Sequence, residues 1–492
     1  MKNLLKWQLF SFMSRGVAMA LGIVQSIVIV RILTVAEYGL VNIVMSVGGA
    51  FGVYQHLGLA SGSTREISSA KDDTEIFKIF TTSFFIRYLV TVPLALILFA
   101  FSKYIAVAQY GNEAMILPLR IFSGILLIQG VQSIFNSVIS GMRRFKQLFI
   151  YQMVIAFVSI FIYIPFIYFY KVDGYFYALA LFNLIGSISL GFISLKPLKG
   201  KIQMPTKADF KRLLKDILSI SLGIYIVKII YTYWQKSGPL LLGLSITPEE
   251  VGIFSFALLY GAKLMTVSDA VTDVNLPVLS KKFVDNISEF KELFAANFDK
   301  IFAFIIFAAT SAIFWSRELI FVFVGSDKYN ASFPLIFPLV LAFIIYSVVN
   351  IIKSSIIIPA KMVKEMIISF SLMLVGTVGF YFGASYLGLL GPLPAMAYGM
   401  CFGAFIGLVS ISAFSKMKLD FTFLNISHLV TFVVGLMVSL INIEAFSLWK
   451  VFSYIAFVGI YYWVLLTFGL ITKKQVVLLL NSIRSKMKRS ND

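Results

Sequence analysis

Two distant segments of this chain repeat one pattern. Leu33-Thr34-Val35-Ala36-Glu37-Tyr38-Gly39-Leu40 and Ile246-Thr247-Pro248-Glu249-Glu250-Val251-Gly252-Ile253 both read apolar-Thr-x-x-Glu-x-Gly-apolar, 213 positions apart. Each lies between two long apolar runs. Asp72, Phe77 and Lys78 return at the same offset as Asp285, Phe290 and Lys291. A repeat of this length predicts two copies of one bundle. The offset spans six apolar runs, an even number, so both copies have the same orientation across a membrane. They are parallel repeats, related by an axis along the membrane normal.

Composition places the copies in lipid. The chain has 492 residues, 59% hydrophobic and 13% charged. That is too apolar and too long for one soluble core. Candidate helices fall near 8–32, 40–60, 79–101, 116–139, 148–170, 174–195, 217–243, 251–275, 299–323, 332–358, 364–386, 392–414, 426–443 and 449–471. Most have the 18 or so apolar residues that a spanning helix needs. The runs lack strict two-residue alternation, which argues against a β-barrel. The expected fold is an all-α polytopic membrane protein of about fourteen helices. An N-lobe of six helices covers 1–197, a basic linker 198–216 and a C-lobe of six helices 217–415. Two further helices lie within 416–472, and a basic tail fills 473–492.

Charge sets the orientation. The net charge of +19 comes from 42 basic and 23 acidic residues. In a soluble chain it would suggest nucleic acid; here the basic residues cluster in alternate loops. About 28 fall on one side and about 3 (Lys103, Lys171, Lys328) on the other, which the positive-inside rule reads as topology. Both termini are then cytoplasmic. Lys2 and Lys6 precede a run that Arg15 interrupts, with no small-residue cleavage site after it, so this run reads as the first spanning helix. Cys401 is the single cysteine, and His56 and His428 are the two histidines. No disulfide or metal site is expected, and both histidines read as packed or interfacial side chains.

Intramembrane cations mark the candidate site. The repeat pairs Arg15 in the first helix with Lys228 in the seventh, and Arg87 in the third with Lys300 in the ninth. Ser221, Tyr225, Lys228, Thr232 and Gln235/Lys236 recur at helical spacing, which predicts one polar stripe on the seventh helix. The first helix carries a weaker stripe through Gln8, Ser11, Arg15 and Gly22. Such a stripe faces protein or water rather than lipid. With both stripes at the seam between lobes, they line a central cavity with cationic walls, to which Lys263 in the eighth helix adds. A charge near the bilayer centre costs roughly 2.5–3.5 kcal/mol, so it usually marks function. Arg31 and Arg120, near helix ends, read as snorkelling side chains. Arg87, Lys300 and Lys353 fit either reading. Asp269 and Asp273, one turn apart in the eighth helix, fit structural ion pairs or a coupling-ion site.

Soluble-enzyme chemistry is missing from the sequence. There is no Gly-x-x-x-x-Gly-Lys-Ser/Thr phosphate loop, no His-Glu-x-x-His and no Gly-x-Ser-x-Gly. No cofactor is expected, and the reading is a transporter rather than an enzyme.

At this point the residues resemble a known family. Arg31 to Leu40 resembles the R-x-L-x-x-x-E-Y-G segment after the first helix of Wzx-type polysaccharide flippases. Gly141-Met142-Arg143-Arg144-Phe145 resembles their G-x-x-R-F/Y turn. Glu250-Val251-Gly252-Ile253-Phe254 and Leu276-Pro277 resemble their second-half segments. The likeness covers the whole chain. It implies the multidrug/oligosaccharidyl-lipid/polysaccharide exporter superfamily and a polyprenyl-diphosphate-linked glycan as substrate. That glycan, for O-antigen, capsule or a related polymer of lipopolysaccharide type, would move from the cytoplasmic to the outer leaflet. Implied partners are membrane lipids and other polysaccharide-assembly proteins. The implied place is a bacterial or archaeal cytoplasmic (inner) membrane. Ser14-Arg15 matches a pair in the related lipid II flippases, but Leu21 and Gly22 stand where those carry further basic residues. A diphosphate is a strong anion that a cationic cavity would hold. Coupling to a proton, to sodium or to the membrane potential stays open. Two alternatives remain: a drug or cation antiporter of the same superfamily, and a polysaccharide polymerase or ligase. The first expects deep carboxylates in the N-lobe and the second a sizeable outer loop.

Overall fold

The computed structural model describes residues 2–263, 265, 279, 282, 283, 285–439 and 447–470. Among these residues there is no strand. The first helices are α1 (Lys2–Ile32), α2 (Val35–Tyr54), α3 (Leu59–Ser69), α4 (Asp73–Lys103), α5 (Ile116–Gly141), α6 (Phe145–Leu195), α7 (Lys207–Leu242) and α8 (Pro248–Lys263). The later ones are α9 (Ile287–Phe314), α10 (Ser316–Val324), α11 (Phe333–Ile352), α12 (Val363–Tyr386), α13 (Pro392–Leu419), α14 (Ile426–Ser439) and α15 (Leu448–Thr467).

Among the described residues, nine stretches are long and apolar enough to cross a membrane, with shorter apolar stretches at Gly16–Ile32 and Ile426–Met437. The expected fourteen is not reached on length and apolarity alone. Side chains 218–222 of α7 lie outside the description, and α8 runs into residues outside it. Outward faces are greasy: Leu89, Phe169 and Phe192 are 78%, 72% and 71% exposed. Water would penalise such a surface, whereas hydrocarbon does not. The chain is a multi-pass membrane protein.

Four predicted helices differ in detail. The second ends at Tyr54 rather than residue 60, because Leu57 (φ 43°) and Gly58 (φ 69°) turn the chain into α3. The sequence of α3, rich in Ser, Gly and Thr, has weak helix propensity. It forms because Leu59 and Ile67 are buried in a core with Val138 and Leu213. The helix predicted over 299–323 breaks at Trp315 into α9 and α10. The predicted pair 148–170 and 174–195 forms the single element α6, interrupted at Lys171 (φ 52°, ψ −121°). It is a hairpin: Tyr163 packs against both Tyr175 and Phe182, and Gly174 lies where a Cβ would be 2.0 Å from the Phe166 oxygen.

The chain forms two compact units: residues 1–256 with 382–396, and 257–381 with 397–492. In the first, the repeated motif is a helix start. Thr34 Oγ1 accepts from the Glu37 amide, and Glu37 Oε2 accepts from the Thr34 amide at 2.8 Å. Thr247 and Glu250 make the same reciprocal pair, at 3.3 and 2.9 Å. Each is a capping box that satisfies the free amides of a first turn. The motif's glycines then meet. A Cβ on Gly39 would lie 1.8 Å from the Pro248 oxygen, and one on Gly252 2.0 Å from the Val35 oxygen. The first turns of α2 and α8 therefore touch backbone to backbone, which only glycine permits.

The repeat also preserves a lysine. Lys78 donates to Asp209 at the start of α7, at 3.1 Å. That contact, with the Thr206 amide and hydroxyl, holds the Asp209 carboxyl below its usual range. Lys291, its counterpart, donates to the Asp420 oxygen at 3.0 Å and lies over the Phe421 ring.

In the second unit α11 is the innermost helix, with 89% of its apolar stretch buried. A helix that is hydrophobic all round belongs inside. Phe290, Phe294, Phe298 and Phe302 form a ladder on α9, packed on Phe423 and His428. His428 Nε2 is 3.0 Å from Asp299 Oδ1. Lys450 of α15 is buried against Glu318 of α10 at 2.8 Å, with Phe314 and Trp315 beside it.

Two outcomes test these contacts by thermal unfolding in detergent. Gly39→Val, which puts carbons into a backbone contact, is expected to cost at least ~2 kcal/mol, as severe overpacking does. Lys450→Met removes the ammonium from the buried Glu318 carboxylate, with an expected cost of about 3–5 kcal/mol. An unchanged midpoint for either variant contradicts the corresponding contact.

Candidate functional site: a cationic cavity in the first unit

Arg87 sits midway along α4 and is 0% exposed. Its Nη1 donates to the His56 carbonyl oxygen at 3.2 Å, and its Nη2 lies 3.3 Å from His56 Nδ1. Its Nε has no partner among the described residues. Tyr225 of α7 donates its hydroxyl to the Tyr54 carbonyl oxygen at 2.9 Å. A cation and a hydroxyl thus serve the carbonyls at the C-terminal end of α2, the end where the helix dipole favours positive charge. Burial removes the snorkelling reading of Arg87. One turn further along α4, Thr91 donates to the side-chain oxygen of buried Gln55 at 3.3 Å.

Next to this cluster is a cavity of about 120 Å³. Its floor is the glycine face of α2: Gly48, Gly49 and Gly52. A Cβ on Gly48 would be 2.4 Å from the Phe122 ring, and one on Gly49 would be 3.0 Å from the Lys236 Cε. The missing side chains are what let α5 and Lys236 lie close to α2. The walls carry His56, Gln129, Lys228 and Thr232, all able to donate hydrogen bonds. Among the described residues no carboxylate lines the cavity. None of the ion pairs among the described residues includes Arg87, Lys228 or Lys236.

The predicted stripe on α7 is partly visible here. Tyr225, Lys228, Thr232 and Lys236 all reach α2 or the cavity. Gln235 is half-buried beside them. Arg15 and Ser221 lie on α1 and α7 with side chains outside the described part. Asp269 and Asp273 lie outside the described residues. Lys263, half-buried at the end of α8, and Lys300, exposed on α9, belong to the second unit. The sequence reading missed His56, Gln55 and Gln129 as site residues. Polar side chains within apolar runs were the available signal. Only the fold shows that the loop after α2 turns inward.

Comparison with known proteins agrees with this architecture. Residues 28–334 match the polysaccharide biosynthesis protein family. A structure of lipid II flippase MurJ in an inward closed conformation superposes with a TM-score of 0.71 at 16% identity, covering 95% of this chain and 99% of that one. An inward-facing multidrug resistance MATE family transporter of the MOP superfamily gives 0.65 at 16% identity, covering 82% and 96%. A MATE structure in complex with MaL6 gives 0.59 at 15% identity, covering 85% and 96%. No curated protein matches the chain. At these identities the likeness to solved structures shows the fold, and the match over 28–334 shows the family: this chain belongs to the polysaccharide biosynthesis protein family and has the fold of MurJ and MATE transporters.

Proposed function

We propose that the protein is a flippase for polyprenyl-diphosphate-linked oligosaccharide, the repeat unit of a surface polysaccharide. It moves the glycan from the cytoplasmic to the outer leaflet by alternating access of two lobes, 1–197 and 217–415. The observation that carries this reading is a cavity lined by donors and a lysine, backed by a fully buried arginine, with no carboxylate in its wall among the described residues. A diphosphate offers acceptor oxygens and negative charge, which match Lys228 in charge and Gln129 and Thr232 in hydrogen bonding. The polyprenyl chain stays in hydrocarbon, so only the polar head needs a path. Arg15 adds charge from α1, and Lys263 and Lys300 are further cations proposed to bind substrate. Asp269 and Asp273 serve as structural partners of nearby cations or as a coupling-ion site. The membrane is the cytoplasmic (inner) one, with both termini in the cytoplasm.

A cationic drug would meet repulsion from Arg87, Lys228 and Lys236, which ranks the antiporter reading lower.

The test is Arg15→Ala combined with Lys228→Ala. The double variant is expected to reach the membrane in normal amount and to bring surface polysaccharide down to the level of cells lacking the protein. Full export by that variant would remove the cation-lined cavity from the account.

A further inference from the structure

The two nitrogens of His56 have different surroundings. Nδ1 lies 3.3 Å from Nη2 of Arg87, and the same guanidinium donates from Nη1 to the His56 carbonyl oxygen at 3.2 Å. A guanidinium has five N–H donors and no acceptor. Nδ1 must therefore accept, because a proton there would set donor against donor. A neutral imidazole carries one N–H, so the proton belongs on Nε2, at the far edge of the ring. That edge has no hydrogen-bond partner in the protein among the described residues. His56 itself lines the cavity, together with Lys228, Thr232 and Gln129. Arg87, fully buried, stands behind the ring and is not part of the cavity wall.

The backbone supports the placement. Leu57, directly after His56, has φ 43°, in the left-handed region that branched residues avoid. Strain of this kind persists where the surroundings over-determine it, and here it follows the residue that turns inward.

We propose that His56 is a neutral hydrogen-bond donor to the phosphoryl oxygens of the translocated diphosphate, locked in its Nε2–H tautomer by Arg87. The inference rests on the diphosphate reading above and assigns roles within it. Lys228 is a flexible ammonium that supplies charge with little directional demand. His56 supplies direction, since a ring held on one edge can aim its single N–H only one way. Arg87 is a positioning residue that acts through His56. A neutral donor also adds no further charge to a site already holding several cations.

Two substitutions separate the ring's edges. In His56→Asn the side-chain oxygen can take the place of Nδ1 beneath Arg87, while the shorter amide places no N–H at the position of Nε2. In His56→Gln the longer amide can place an N–H near the position of Nε2. The probes are polyprenyl diphosphate without sugar and inorganic diphosphate, each titrated into the purified full chain in nanodiscs. His56→Asn is expected to weaken binding of the lipid diphosphate roughly tenfold or more, and His56→Gln to retain most of it, as loss of a hydrogen bond to a charged group implies. Equal weakening of inorganic diphosphate places the contact on the phosphoryl groups. A loss confined to the lipid form overturns it. Independently, ¹⁵N NMR of histidine-labelled wild-type protein is expected to show residue 56 protonated on Nε2 and not on Nδ1.

Unchanged binding in His56→Asn, or equal losses in both variants, overturns the donor role while leaving the diphosphate reading intact. The opposite tautomer does the same, even if both variants fail to fold. Wild-type protein that binds neither diphosphate overturns the inference and the diphosphate reading together.

Discussion

The first turns of α2 and α8 meet without side chains between them, at Gly39 and Gly252, and much of the first unit is set out from that contact. The capping boxes at Thr34 and Thr247 fix where each helix begins, and the glycines fix how closely they approach. From there α2 runs 20 residues, or about 30 Å. Its far end is where the Tyr54 and His56 carbonyls emerge, and these are the acceptors for Tyr225 and Arg87. Along the way its glycine face makes the floor of the cavity. A pattern of Thr, Glu and Gly at one end of a helix thus governs the placement of cations at the other.

Arg87 shows why that placement is not explained by stability. Burying an ion costs several kcal/mol even after relaxation. A cation at a helix C-terminus recovers at most about 2 kcal/mol of it. Its two contacts with His56 add the gain of hydrogen bonds to a charged group, but among the described residues no carboxylate forms an ion pair with it. Glu318 and Lys450 in the second unit make the contrast: there a buried cation has its anion, ring faces around it, and a structural task. A sequence that keeps Arg87, Lys228 and Lys236 outside every ion pair among the described residues accepts a stability cost, which is the usual mark of a functional site.

Much of this was legible in the residues. Helix positions followed from apolar runs because hydrocarbon leaves few other backbone solutions. The 213-residue repeat identified Thr34–Glu37 and Thr247–Glu250 as equivalent. It also paired Lys78 with Lys291, which both reach the segment that begins the next part of the fold. The α7 stripe pointed at Lys228 because one helix face is a local property. His56 was not legible, since its role depends on a turn at Leu57–Gly58 and on an arginine 31 positions away. α3 was hidden for a related reason: its weak propensity is overridden by burial of Leu59 and Ile67, which only packing reveals. Arg87 and Lys300, equivalent by offset, differ in surroundings, one buried and the other exposed. A repeat in sequence therefore predicted the scaffold better than it predicted the site.

The most direct test of transport is reconstitution of the purified protein into sealed liposomes that contain a polyprenyl-diphosphate-linked glycan. An impermeant glycosidase added outside reports the share of glycan in the outer leaflet. With the protein present, that share is predicted to climb past the initial outer-leaflet fraction as inner-leaflet lipid is brought out. If it stays at the initial fraction, as in liposomes without protein, the chain does not translocate such lipids and the account of its cavity is wrong.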